Sequence, residues 1–325
     1  MTTLYLDHRH YQLSHDNAQI IIRHQDERRA LPLRHIQRVV ISGRSQIDTG
    51  LLHELSERQI PLTCLHSRKP RRTAHLGYSH HGQALRRLGQ YALSLYHPHD
   101  STQLSSELVH AKLRSQRKLL QQALATRHDQ RKVLSDTLIT LGRLENYTGP
   151  EFSHTTSKLR GLEGAGAAAY FTGLGSLFAP SLNFTGRNRR PPRDPVNACL
   201  SLGYTLLHHD AVSACHAAGL DPLLGYYHKP SYRRESLACD LVEPLRARVD
   251  RLIWSLFSKQ TLRLEHFQQS SDACLLNKQG RKHFYYAWER QAAPLRRHLR
   301  QHALKVARLC ETIAAEEFGG NHETY

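Results

Sequence analysis

The sequence has no apolar run approaching the 18 or so residues that a membrane span requires. Its best apolar stretch, Val196 to Leu207, is broken at once by His208, His209 and Asp210. The opening MTTLYLDHRH lacks the basic-then-apolar order of a secretory leader. Both absences argue for a cytoplasmic protein without a membrane partner. The six cysteines, at 64, 199, 215, 239, 274 and 310, include no C-x-x-C pair. A zinc-finger-like cluster and a disulfide framework are thereby set aside in favour of free thiols. Acids are scarce as well. There are 28 Asp and Glu against 45 Lys and Arg, a formal net charge of +17 with the 24 histidines neutral. An imbalance this large says little about fold but points to a polyanionic partner, nucleic acid above all.

What is present divides the 325 residues into two regions. Residues 1–78 carry short runs (TLYL, AQIIIR, RVVIS, IPLTCL) at the spacing of strands in a small β-sandwich-like domain. One amphipathic segment within it, DTGLLHELSERQ, reads as a helix with Asp48 or Thr49 as cap. A polar, glycine-containing linker follows at 79–84. Long segments rich in Leu, Ala, Gln, Lys and Arg then predict an all-α C-terminal domain over 85–317, with 318–325 a frayed tail. In the last helix Leu295, Leu299, Ala303, Val306, Cys310 and Ile313 step by three and four along one apolar stripe. The fold class predicted is therefore α+β, a small β-rich domain followed by a larger helical one.

Three stretches of the helical part carry candidate chemistry. KLRGLEGAGAAAY (158–170) has Glu163 as its one acid, followed by small residues that let a backbone or ligand approach closely. From Ser236 onward, Leu237, Leu241, Leu245 and Val249 mark an amphipathic helix that carries Asp240 and Glu243 at i, i+3. Two carboxylates side by side in a partly buried site need a compensating cation. A hard divalent ion, Mg²⁺ or Mn²⁺, is one candidate, with His228 as a nitrogen donor. The other is a set of ordinary ion pairs with Arg233, Arg234 or Arg246. Pro244 predicts a break that tilts Glu243. The third stretch, NFTGRNRRPPRDP (183–195), places Arg187, Arg189, Arg190 and Arg193 in a Gly/Pro-punctuated loop suited to phosphate contact. Lys229, Arg233 and Arg234 add cations beside His228. LHHDA (207–211) is weaker, since adjacent His and Asp without distant partners do not make a phosphohydrolase site.

Taken together, LRGLEGAGAAAYF, FTGRNRRPPRDPVNACLSLGY and GLDPLLGYYHKPSYRRESLACDLVEPLRARVDR, in that order behind a β-rich domain, resemble the CRISPR-associated integrase and endonuclease family, Cas1. The resemblance implies metal ligands Glu163, His228 and Glu243, with Asp240 a further catalytic acid beside them. It implies an enzyme that inserts short DNA fragments (prespacers) into a CRISPR repeat by transesterification. It also implies a homodimer and a complex with the small ferredoxin-like partner Cas2. The rival reading from residues alone is a non-catalytic basic scaffold that binds nucleic acid.

Overall fold

A computed structural model describes residues 2–8, 10–65, 73–76, 84–149, 152, 154–188, 191–232, 234–271 and 273–319. The chain forms two compact units, Met1–Gln83 and Ala84–Tyr325. Residues 79–83 of the expected linker, 320–325 of the expected tail, and Arg189, Arg190 and Arg233 lie outside the described residues.

The first unit is built from two mixed sheets. One runs β4 (Glu27–Pro32), β3 (Gln19–His24), β2 (Tyr11–Asp16), β6 (Ser45–Ile47). The other runs β1 (Thr2–Leu6), β5 (Ile36–Ile41), β7 (Leu62–Cys64), β8 (Ala74–Leu76). Helix α1 (Thr49–Glu57) contributes Leu51 and Leu55 to the same core as Leu13, Ile20, Ile22, Val39, Ile41 and Leu62. Asp48 stands at the cap position of α1, but its side chain makes no capping hydrogen bond. Strands β2 and β3 close through Asn17 and Ala18, both at positive φ (44° and 60°), the backbone of a type I′ hairpin turn.

The second unit is helical: α2 (Ala84–Leu95), α3 (Pro98–Leu124), α4 (Arg131–Asn146), α5 (Thr156–Gly175), α6 (Pro195–Ala217), α7 (Ser236–Val242), α8 (Arg246–Ser258) and α9 (Lys278–Phe318). It departs from the all-α expectation in one detail. Strands β9 (Phe267–Gln269) and β10 (Cys274–Leu276) pair as a short antiparallel hairpin. The six expected stripe positions of α9 are all buried, and α9 continues through Phe318, past the expected start of the tail.

Close helix packing positions the site. A Cβ at Gly89 of α2 would fall 1.8 Å from the Cys310 carbonyl oxygen of α9. A Cβ at Gly166 of α5 would fall 2.3 Å from Leu113 Cδ2 of α3. The small residues after Glu163 thus let α3 lie against α5, and Lys112, the neighbour of Leu113, comes with it. Pro244 has no amide hydrogen to continue the helical ladder. Helix α7 accordingly gives way at Glu243 to a 3₁₀ turn, Glu243–Leu245, before α8 begins.

Candidate active site

Two glutamates far apart in sequence share one cation. Lys112 Nζ lies 2.5 Å from Glu163 Oε1 and 2.6 Å from Glu243 Oε2. Each carboxylate is also held from its far side. Tyr227 Oη donates to Glu163 Oε2 at 2.7 Å, and Arg246 Nε donates to Glu243 Oε1 at 2.9 Å. Glu243 Oε2 is buried, with the Lys112 ammonium as its ion-pair partner. Burial works to raise the pKa of Glu243. The charges of Arg246 and Lys112 outweigh burial and bring it down to about 2, and His228 contributes in the same direction. Burial likewise works against the Lys112 ammonium, but Glu243 and Glu163 overcome it and leave the pKa raised.

His228 is placed from behind by Asp240, whose side chain is fully buried. Asp240 Oδ1 accepts the His228 backbone N–H at 3.0 Å and lies 2.6 Å from His228 Nδ1. Its Oδ2 accepts the N–H groups of Tyr226 (2.9 Å) and Tyr227 (3.1 Å). A carboxylate only accepts, so Nδ1 carries the imidazole proton and Nε2 is left as the acceptor on the ring. Burial raises the pKa of Asp240, against the opposing pull of His228 and of the loop amides. With three backbone donors and one imidazole on its two oxygens, Asp240 acts as a support for His228. The crowding of Asp240 and Glu243 is thus relieved separately, by the loop amides and His228 for one and by Lys112 and Arg246 for the other.

Arg246 is itself anchored. Its guanidinium lies 4.6 Å from the Tyr204 ring centroid, and Tyr204 and Tyr170 donate to the buried Asp250 at 2.5 and 2.7 Å. Burial pushes Asp250 up to about 6 in spite of the two tyrosines.

Of the expected phosphate contacts, Arg193 and Lys229 are exposed. Arg187 instead binds Asn197 Oδ1 (2.7 Å) and Ser201 Oγ (3.1 Å), fastening its loop to the start of α6. Arg234 donates to the Lys229 carbonyl at the surface. The LHHDA residues do not gather. His208 pairs with Glu235 at 2.7 Å, while Asp210 pairs with Arg296 at 3.3 Å.

Sequence reasoning missed Lys112 and the role of the Tyr227 hydroxyl. A signal for Lys112 exists, because it stands on the buried stripe of α3 with Leu108, Val109, Leu113 and Gln116. A lysine there needs buried acids to face.

Among the described residues no three His, Cys, Asp or Glu side chains converge as a ready ligand set. The donor chemistry nevertheless fits a divalent ion. Two carboxylates already close around a single cation, and a quarter-exposed imidazole whose charge is felt at Glu243 offers a nitrogen donor. Among the described residues no helix is long and apolar enough to cross a membrane.

Comparison with known proteins places this geometry in context. Residues 4–290 match the family model described as CRISPR associated protein Cas1. The CRISPR-associated endonuclease Cas1 1 of Thermodesulfovibrio yellowstonii is 36% identical over 303 residues, which span 89% of this chain and 91% of the relative. A solved Cas6-RT-Cas1–Cas2 complex is similar in fold, with a TM-score of 0.81 and 23% identity over 100% of this chain and 36% of that longer one. A casposase bound to its integration product is also similar, with a TM-score of 0.80 and 19% identity over 98% of this chain and 92% of that one.

Proposed function

Because the chain belongs to the CRISPR-associated Cas1 family, we propose that Glu163, His228 and Glu243 are the metal-binding centre with which it cuts and joins DNA. The protein is a DNA endonuclease and integrase of CRISPR adaptation. The observation that carries the assignment of the site is the shared cation of Glu163 and Glu243 beside a histidine held by Asp240.

In this reading Mg²⁺ or Mn²⁺, when bound, polarises the phosphodiester and offsets the charge that develops on the attacking and leaving oxygens. The protein's own groups fix the geometry. Tyr227 and Arg246 hold the outer oxygens of the two glutamates. Asp240 keeps the His228 proton on Nδ1 and so leaves Nε2 as the nitrogen able to accept the ion. Exposed Lys229 and Arg193 meet the DNA backbone without reading its sequence. The 3′-hydroxyl of an incoming fragment attacks a phosphorus of the repeat. One phosphodiester forms as another breaks, so strand transfer is close to isoenergetic. Water in place of the hydroxyl gives hydrolysis and accounts for the endonuclease activity. DNA and Cas2 are the partners. A homodimer working in the cytoplasm completes the reading, on the strength of the family resemblance.

The test is strand transfer into supercoiled plasmid carrying a repeat. Glu163→Gln and His228→Ala are expected to abolish it while retaining DNA affinity, and chelation is expected to stop the wild type. Undiminished transfer by both variants in chelator would refute the assignment.

A further inference from the structure

The site described above contains a cation of its own. Lys112 is nine-tenths buried, and its ammonium touches the inner oxygens of both glutamates, the ones that face each other. Together with Arg246 it already balances the two negative charges of Glu163 and Glu243. A divalent ion added to this arrangement would leave a buried excess of two positive charges, with the ion and the ammonium competing for the same two oxygens. Like charges at such a distance in a poorly screened site repel strongly. One of them has to leave.

Lys112 is the one built to move. Its charge rides on a flexible four-carbon stem, whereas Arg246 is braced by the Tyr204 ring and by its contact with the outer Glu243 oxygen. There is also somewhere to go. Gly164, which follows Glu163 on α5 and lies one turn from Arg160, is exposed and has nothing within 4 Å of where a Cβ would stand. That open ground adjoins Arg160, which reaches the Tyr227 carbonyl at 3.4 Å.

We propose that Lys112 is a built-in counter-ion. It holds Glu163 and Glu243 together in the metal-free protein and is displaced by an incoming divalent cation toward the open face of α5, where its ammonium meets the DNA phosphate. The proposal rests on the metal-site reading given above. It makes Lys112 a positioning residue before the metal binds and a phosphate contact afterwards, and it ties cation loading to the readiness of the surface for DNA.

The test uses the full-length wild type with Mn²⁺ as the probe, and Mn²⁺ binding is followed by the electron paramagnetic resonance of the free ion. Reductive methylation of lysines, read by mass spectrometry, is expected to label Lys112 poorly without metal and several-fold more at Mn²⁺ saturation, while exposed Lys229 stays constant. Lys112→Met is expected to bind Mn²⁺ about tenfold more tightly than wild type, because no internal cation has to be displaced. Bound Mn²⁺ with unchanged Lys112 labelling would overturn the displacement and leave the metal site standing. Equal or weaker Mn²⁺ binding by a folded Lys112→Met would do the same. If the Met variant does not fold, the wild-type labelling decides alone. Failure of the wild type to bind Mn²⁺ at all would overturn both readings.

Discussion

The Asp240 carboxylate occupies the ground a side chain at Gly225 would need. A Cβ there would stand 2.5 Å from Asp240 Oδ2 and 2.9 Å from the His228 carbonyl oxygen. Neither neighbour can yield cheaply, since Oδ2 is fixed by the amides of Tyr226 and Tyr227 and the carbonyl is backbone. Gly225→Ala is therefore expected to cost about 2 kcal/mol through overpacking. It should also displace the His228 loop. Denaturant midpoints and strand-transfer rates measured together check this, and a variant with wild-type values in both would contradict the close packing.

Asp240→Asn tests the support from the other side. The amide keeps the shape but replaces one acceptor oxygen with an NH₂ group, which faces either the two N–H groups of Tyr226 and Tyr227 or both the backbone N–H and the Nδ1–H of His228. The second case forces the ring to move its proton to Nε2. Losses of an outer partner of a metal-binding histidine commonly run about 10- to 100-fold in affinity or activity. Mn²⁺ binding and integration by Asp240→Asn should both fall in that range, with DNA affinity retained. A loss of activity without any loss of Mn²⁺ affinity would mean that Asp240 serves something other than His228.

In the first unit, Ala18 occupies the second central position of the β2–β3 turn at φ 60°, a conformation that costs a residue with a Cβ roughly 1–2 kcal/mol. Ala18→Gly relieves that strain and gives back part of the gain through a freer unfolded chain. The expected net effect is about 0.5–1 kcal/mol of stabilisation, with integration activity unaffected. Urea unfolding of the two proteins at equal concentration would show it, and a lower midpoint for the glycine variant would rule out the left-handed turn.

Much of the architecture was legible because it rests on short-range pattern. The apolar runs of β1, β3, β5 and β7 and the three- and four-residue steps of α9 can be read directly from residue type. Strand β4, ERRALP, could not be read this way. It is almost wholly exposed, with no alternation to betray it, and exists because its backbone pairs with β3. Its arginines suit a sheet edge that must not recruit another strand. Strands β9 and β10 are three residues each and owe their form to their pairing. At the site, the acids and His228 could be singled out by type, and the Pro244 break by the missing amide. Their mutual placement could not, because it depends on Gly166 letting α3 approach α5. Lys112 enters by that route and appears in none of the three chemical stretches. Arg187 went the other way. Read as a phosphate contact, it is taken up by Asn197 and Ser201, which only the folded loop brings within reach.

The charge balance at Glu243 makes a prediction about acid stability. Arg246 and Lys112 hold its pKa at about 2, below the ordinary 4.5, in spite of burial. A carboxyl depressed on folding contributes stability that is fully present above about pH 4.5 and is lost as the pH falls through 2. A shift of this size corresponds to something on the order of 3 kcal/mol. Glu243→Gln removes the titration and leaves Lys112 with Glu163 alone. Near neutral pH the variant should be the less stable of the two, because Arg246 and Lys112 lose a charged partner. Between pH 5 and pH 2 the wild type should lose stability more steeply, so the gap between the two proteins narrows as acid is added. Denaturant unfolding at a series of pH values measures that gap directly. A gap that stays constant down to pH 2 would mean that folding does not shift the Glu243 pKa, and the shared-cation geometry would lose its electrostatic basis.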